Sequence, residues 1–161
     1  MSTHLDHARI VLRPARSGDG QALFDITWLS VKGLSVQHYS PEQIAGWMGR
    51  RDADYYEVLI GRGAITVAEL DGALIGFVDA VPGEVTRLFL HPKAAGAGLG
   101  SRLLEIGIAQ ARRDHDGPVR VESTLNAAGF YQRHGFEVVG TGYFSHGIGG
   151  APIEIVAMEL A

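Results

Sequence analysis

The sequence predicts an α+β fold, a mixed central β-sheet flanked by helices, and three observations carry that prediction. Strand-like runs at 65–70, 73–81 and 84–90 are separated by Asp71-Gly72 and Pro82-Gly83, dipeptides that close tight antiparallel turns. The last run breaks at His91-Pro92, passes through Gly96, Gly98 and Gly100, and enters a helical pattern. Helical segments before this meander, and strands interleaved with helices after it, complete a β-α-α-α-β-β-β-α-β-α-β-β order.

Each element has a local cause. Residues 8–13 alternate as a first strand that Pro14 closes. A helix is expected from a Ser17 cap to about Val31, with Leu23, Ile26, Trp28 and Leu29 as its apolar positions. Ser40-Pro41-Glu42-Gln43 is a strong helix start, because Ser caps, Pro is pre-organised for the first helical position and Gln43 completes a capping box. That helix carries Ile44, Trp47 and Met48. A short helix is expected at 53–60, where Tyr55, Tyr56 and Val58 would also tolerate a strand. Beyond the glycines, Leu99, Leu103, Ile106, Ile108 and Ala109 fall at helical spacing, and Arg112-Arg113 suits the negative C-terminal dipole. Residues 118–122 read as a short buried strand and 126–134 as a helix stopped by Gly135. The last strands, 136–141 and 153–160, are joined by the loop from His146 to Pro152.

Composition excludes several function classes. At 161 residues the chain is expected to be a single domain, able to bury roughly two-thirds of its unfolded surface. No apolar run approaches the about 20 residues that span a bilayer, and Met1 to His7 are too polar for a secretory leader, so no membrane partner is expected. The absence of cysteine removes disulfides, thiolate metal sites and a Cys nucleophile, and favours a cytoplasmic protein. A net charge of −4, with no basic cluster longer than Arg50-Arg51 or Arg112-Arg113, argues against nucleic acid. His38, His91, His115, His134 and His146 are scattered singly, so no metal site is expected. The serines lack a nucleophile elbow.

The glycine stretch is suited to cradling a phosphate. Glycines let backbone approach a ligand, and a helix N-terminus offers N–H groups without intrahelical partners at the positive end of its dipole. Ser101 stands where a dinucleotide fingerprint needs glycine and no Gly-Lys-Ser/Thr follows, so neither that motif nor a P-loop is present. Residues 95–100, Ala-Gly-Ala-Gly-Leu-Gly, after an apolar strand and Pro92, resemble the acetyl-CoA signature of the GNAT (Gcn5-related N-acetyltransferase) superfamily. Ala95 occupies the position where that family usually has Gln or Arg. A second resemblance is Phe130-Tyr131 running into Gly135-Phe136. Tyr39-Ser40-Pro41-Glu42-Gln43, followed by Trp47, is similar to an element of one acetyltransferase subgroup.

The resemblance implies an acetyl-CoA-dependent N-acetyltransferase that transfers the acetyl group to a small-molecule or peptide amine in a ternary complex, with a homodimer left open. It implies cofactor contacts from Phe89, Leu90, Ala95, Gly96, Ala97, Gly98, Leu99, Gly100 and Ser101, with backbone N–H groups near Leu90 facing the developing oxyanion. Tyr131 would protonate the leaving thiolate. Asn126 would bond the pantetheine or cap its helix, and both readings stay open. By its offset from Ala95, Glu84 matches the superfamily's glutamate base, with Asp79, His38 and Glu122 in reserve. His38, Tyr39 and Trp47 would wall the acceptor pocket. A non-catalytic acyl-CoA-binding sensor or regulatory module is the alternative, kept open by Ala95.

Overall fold

The computed structural model describes residues 7–34, 37–145 and 152–161. The expectations placed on residues 1–6 and on the 146–151 loop, His146 included, fall outside them. The first strand, β1, is Ile10–Pro14, and three helices follow: α1 (Gly20–Leu34), α2 (Pro41–Met48) and α3 (Ala53–Gly61). The meander comprises β2 (Ile65–Leu70), β3 (Ala73–Val81) and β4 (Glu84–Leu90), and the glycine loop leads to α4 (Leu99–Ala111). The chain continues through β5 (Val119–Thr124), α5 (Ala128–Arg133), β6 (Glu137–Tyr143) and β7 (Glu154–Leu160). One seven-stranded sheet runs in the order β1-β2-β3-β4-β5-β7-β6. Among the described residues only β4 and β5 pair in parallel, across the α4 crossover, so the sheet is mixed as expected.

Side-chain alternation along β3 divides the core into two layers. Val78 and Ala80 pack with Leu99, Leu103 and Leu104 of α4. Phe77, pointing the other way, packs with Leu23 of α1 and Tyr56 and Leu59 of α3. Gly107 lets α4 lie against the sheet, since a Cβ there would stand 2.7 Å from Val78 Cγ2. A third cluster joins Trp47 and Met48 of α2 to Val31, Ile153 and Ile155.

Local signals placed most elements correctly. Ser40 and Gln43 form the reciprocal capping box at α2, and Asp71 and Gly72 take the positive φ values of 52° and 84° that a tight hairpin turn needs. The helix at 53–60 forms, started by Asp52, whose side chain accepts from Tyr55 N. Two boundaries differ for tertiary reasons. α1 starts at Gly20, not at a Ser17 cap, because Glu57 of α3 accepts from Gly18 N at 2.9 Å and Gly20 N at 2.6 Å. α5 starts at Ala128 after a 3-10 turn at Leu125–Ala127, so Asn126 lies inside that turn and does not cap the helix. Pro14 is the last residue of β1, tolerated because β1 is an edge strand. Among the described residues, no helix is long and apolar enough to cross a membrane.

Candidate functional site

The site originates in a strand pairing that stops early. β4 and β5 pair only at Glu84↔Arg120 and Val85↔Val121. A register shift against β3 falls between Asp79 and Ala80, whose partners are Arg87 and Val85, so Thr86 is the extra residue of a bulge. A bulge bends its strand and increases the local twist, and this one follows directly on the last pair with β5. The two strands therefore part into a wedge. His91 N donates to Ile75 O on the β3 side, so by strand alternation the backbone groups of Leu90 and Leu88 face the wedge, where β5 offers no partner.

Two cavities occupy the wedge. The larger, about 230 Å³, is lined by Leu88, Phe89 and Leu90 of β4, by Ala95 and Gly100 of the glycine stretch, and from the far side by Asn126, Phe130 and Tyr131. The smaller, about 50 Å³, lies between Thr86 and Arg87 of β4, Glu122 of β5, Trp47 of α2 and Phe144. Leu88, Phe89 and Tyr131 line both. The Tyr131 ring is held edge-on between Phe130 and Phe136, at centroid distances of 5.2 and 5.5 Å. Burial pushes its phenol well above the ordinary value, so it keeps its proton at neutral pH.

The glycine stretch borders the larger cavity at Ala95 and Gly100. Gly96 and Gly98 have φ of 81° and 84°. Gly98 is the N-cap of α4 and makes no side-chain capping bond. The first-turn N–H groups thus lack both an intrahelical partner and a capping side chain. Phe130 packs on this turn, 3.5 Å from where a Gly100 Cβ would stand. The Leu99 side chain is wholly buried in the core, leaving its backbone as the part directed to the loop. Ser101 Oγ lies 2.9 Å from His134 Nε2, which ties α4 to α5.

The smaller cavity is polar on one wall. Arg87 Nη1 donates to Asp79 Oδ2 at 2.9 Å and Nη2 to Tyr55 Oη at 3.0 Å. Burial pushes the Asp79 carboxyl above its usual range, and the Arg87 charge and hydrogen bonds offset this only in part. Glu122 accepts from the backbone N of Ser145 at 3.2 Å. Trp47 touches Phe89 and Phe144 with ring centroids 6.3 and 5.7 Å apart.

The wedge gathers some of the expected residues and leaves others out. Tyr131, Phe89, Leu90, Ala95, Gly100, Asn126 and Trp47 line it. Glu84 does not, since it opens β4 within the segment still paired to β5. His38 is exposed in a turn off both cavities. Tyr39 is buried and structural, its hydroxyl donating to Glu154 O at 2.6 Å and accepting from Leu125 N at 3.0 Å. Arg87 and Phe144 were not anticipated. Arg87 did carry a signal, a cation within the run Val85 to Leu90, whereas Phe144, just past β6, is held by its N–H donating to Ile153 O and by its ring contact with Trp47.

Comparison with known proteins matches this arrangement to one family. Residues 35–157, well over half of the chain, match the model of the acetyltransferase (GNAT) domain. The uncharacterized N-acetyltransferase YafP of Escherichia coli is 28% identical over 130 residues, spanning 81% of this chain and 83% of that protein. Among solved structures, a GCN5-related N-acetyltransferase from Rhodopseudomonas palustris superposes with a TM-score of 0.86 at 23% identity, covering 99% of both chains. The PaiA N-acetyltransferase of Thermoplasma acidophilum, solved with coenzyme A, gives 0.74 at 23% identity over 94% of this chain and 98% of that one. With the family model covering the wedge, the glycine stretch and the Tyr131 helix alike, the chain belongs to the GNAT acetyltransferase family.

Proposed function

We propose that the chain transfers the acetyl group of acetyl-CoA to an amine by direct attack, with both substrates bound in the wedge. The observation that carries this reading is Tyr131, buried where the two cavities meet. The larger cavity fits the cofactor: left-handed Gly96 and Gly98 keep side chains away, and the uncapped α4 N-terminus offers N–H donors suited to a pyrophosphate. The T. acidophilum relative holds coenzyme A in the same fold, which supports the assignment. When bound, acetyl-CoA supplies an activated thioester.

The chain's own groups then divide the work. The Leu88 and Leu90 backbone edge of β4 orients the acyl group, its N–H donors fixed in advance by the pairing of β4 with β3. Tyr131 holds a proton at Oη for the departing sulfur. Desolvation makes the phenol a weaker acid, and the same dry surroundings raise the affinity of a neighbouring thiolate for that proton. The attacking amine must be neutral, so a proton has to leave the ammonium. Glu122, on the wall of the smaller cavity, is the carboxylate placed to take it, directly or through water. Glu84, the base suggested by offset from Ala95, stands off that wall.

Thiol release from acetyl-CoA, followed across a panel of amines, tests the reading. Wild type should release thiol only with an acceptor present. Tyr131→Phe should keep calorimetric CoA affinity while turnover falls by roughly a hundredfold. Tight CoA binding without thiol release on any amine would leave the non-catalytic binding module instead.

A further inference from the structure

Two polar hydrogens in residues lining the smaller cavity have no acceptor among the described residues: those on Trp47 Nε1 and on Arg87 Nε. Trp47 is 4% and Arg87 8% exposed, so water outside the cavity does not satisfy them. Leaving a buried donor unpaired costs about 1–3 kcal/mol, and native structures seldom do so without a water or ligand to meet it. The two residues converge through Phe89, which is two positions from Arg87 on β4 and in ring contact with Trp47. The cavity between them holds only a few water-sized groups.

Charge decides what kind of oxygen belongs there. Arg87 is already paired with Asp79. Arg51 stacks on the Tyr55 and Phe144 rings, 5.2 and 5.7 Å from their centroids, and Glu122 lines the cavity. These two cations and two carboxylates cancel. A ligand carboxylate would add a charge without a partner beside Glu122, whereas a neutral carbonyl oxygen accepts from both donors and leaves the balance intact. We infer that the acceptor is an α-amino amide, a small amide or the N-terminus of a peptide, whose carbonyl oxygen accepts from Trp47 Nε1 and Arg87 Nε while its amine lies toward Glu122. The inference rests on the reading above, in which the smaller cavity takes the acceptor.

The test compares glycinamide with propargylamine, similar in size and basicity but lacking a carbonyl, and with glycine and triglycine amide. Each kcat/KM is corrected for the neutral amine fraction. Glycinamide should exceed propargylamine by about tenfold, and Trp47→Phe, which removes one donor and keeps a ring, should cut that ratio by about fivefold. Turnover of triglycine amide as well assigns a peptide N-terminus; glycinamide alone assigns a small amide. A wild-type ratio near one, a ratio unchanged in Trp47→Phe, or glycine outpacing glycinamide overturns the inference. The indole N–H resonance of Trp47 gives a second readout that needs no turnover. The chain has two tryptophans, so the signal is assigned by its loss in Trp47→Phe or, if that protein does not fold, by elimination in Trp28→Phe. In the CoA-bound protein it should move downfield with glycinamide and not with propargylamine. No movement in an enzyme that acetylates other amines sinks the amide inference alone. Movement in a protein that releases no thiol keeps the amide site and sinks the transfer reading.

Discussion

Glu84 and Glu122 are both carboxylates on the strands that form the wedge, and Glu122 lines the smaller cavity while Glu84 lines neither. Glu84 opens β4 opposite Val81 on one side and Arg120 on the other. Glu122 lies just past the last β4–β5 pair, where the strands have parted, and lines the smaller cavity. Counting residues back from Ala95 leads to Glu84, but counting along one strand cannot show where the neighbouring strand departs. The expected outcome is a separation in pH–rate profiles. Acetylation by wild type should rise with pH along an acidic limb as the base loses its proton, and Glu122→Gln should flatten that limb while Glu84→Gln superimposes on wild type. The reverse result would return the base to Glu84. Tyr131 was legible as a residue from the Phe-Tyr…Gly-Phe pattern, but its burial between two cavities is a property of the packed α5 helix.

Helix starts divide into those that the local sequence writes and those that a distant residue supplies. At α2 the capping box is complete within four residues, so the sequence suffices. At α1 the acceptor for Gly18 N and Gly20 N is Glu57, 37 to 39 positions away, and no local pattern reveals it. The α4 start is a third kind, in which Gly98 caps by its left-handed backbone and leaves the first-turn donors open. Gly98→Val forces a β-branched residue into that conformation and, on the proposed cofactor reading, adds a side chain beside the pyrophosphate. Acetyl-CoA affinity should fall tenfold or more, about 1.4 kcal/mol. Calorimetry showing wild-type affinity in folded Gly98→Val would move the phosphate site elsewhere.

At the scale of the whole molecule, the β1 edge and the helical layer are joined by a half-buried ion pair. Arg13 of β1 donates to Asp19 Oδ2 at 2.8 Å, and Arg16 N donates to the same oxygen at 2.9 Å. Burial pushes the Asp19 carboxyl up, but the Arg13 hydrogen bond, the Arg16 N–H and the charges of both arginines outweigh it, so its pKa lies below the usual value. A depressed carboxylate pKa contributes stability that is fully present above the unfolded value, about 3.9, and is lost as pH falls through the folded value. Asp19→Asn should therefore destabilise by about 1.5 kcal/mol at pH 7. The gap in urea midpoints between the two proteins should close progressively below about pH 4. An equal gap at pH 7 and at pH 3 would mean that the carboxylate's charge contributes nothing.

The sequence by itself determined the element order, the meander with its turns, the α2 cap and the glycine loop, because period, turn chemistry and capping act over a few neighbouring residues. Only the tertiary structure decided where β4 and β5 part, which carboxylate lines the smaller cavity, and that Trp47 and Arg87 share a cavity wall. Those facts depend on the Thr86 bulge against β3 and on α2 packing across Phe89, contacts between segments far apart in the chain. No local pattern encodes them, since each is fixed by the geometry that remains once the whole sheet has closed around its core.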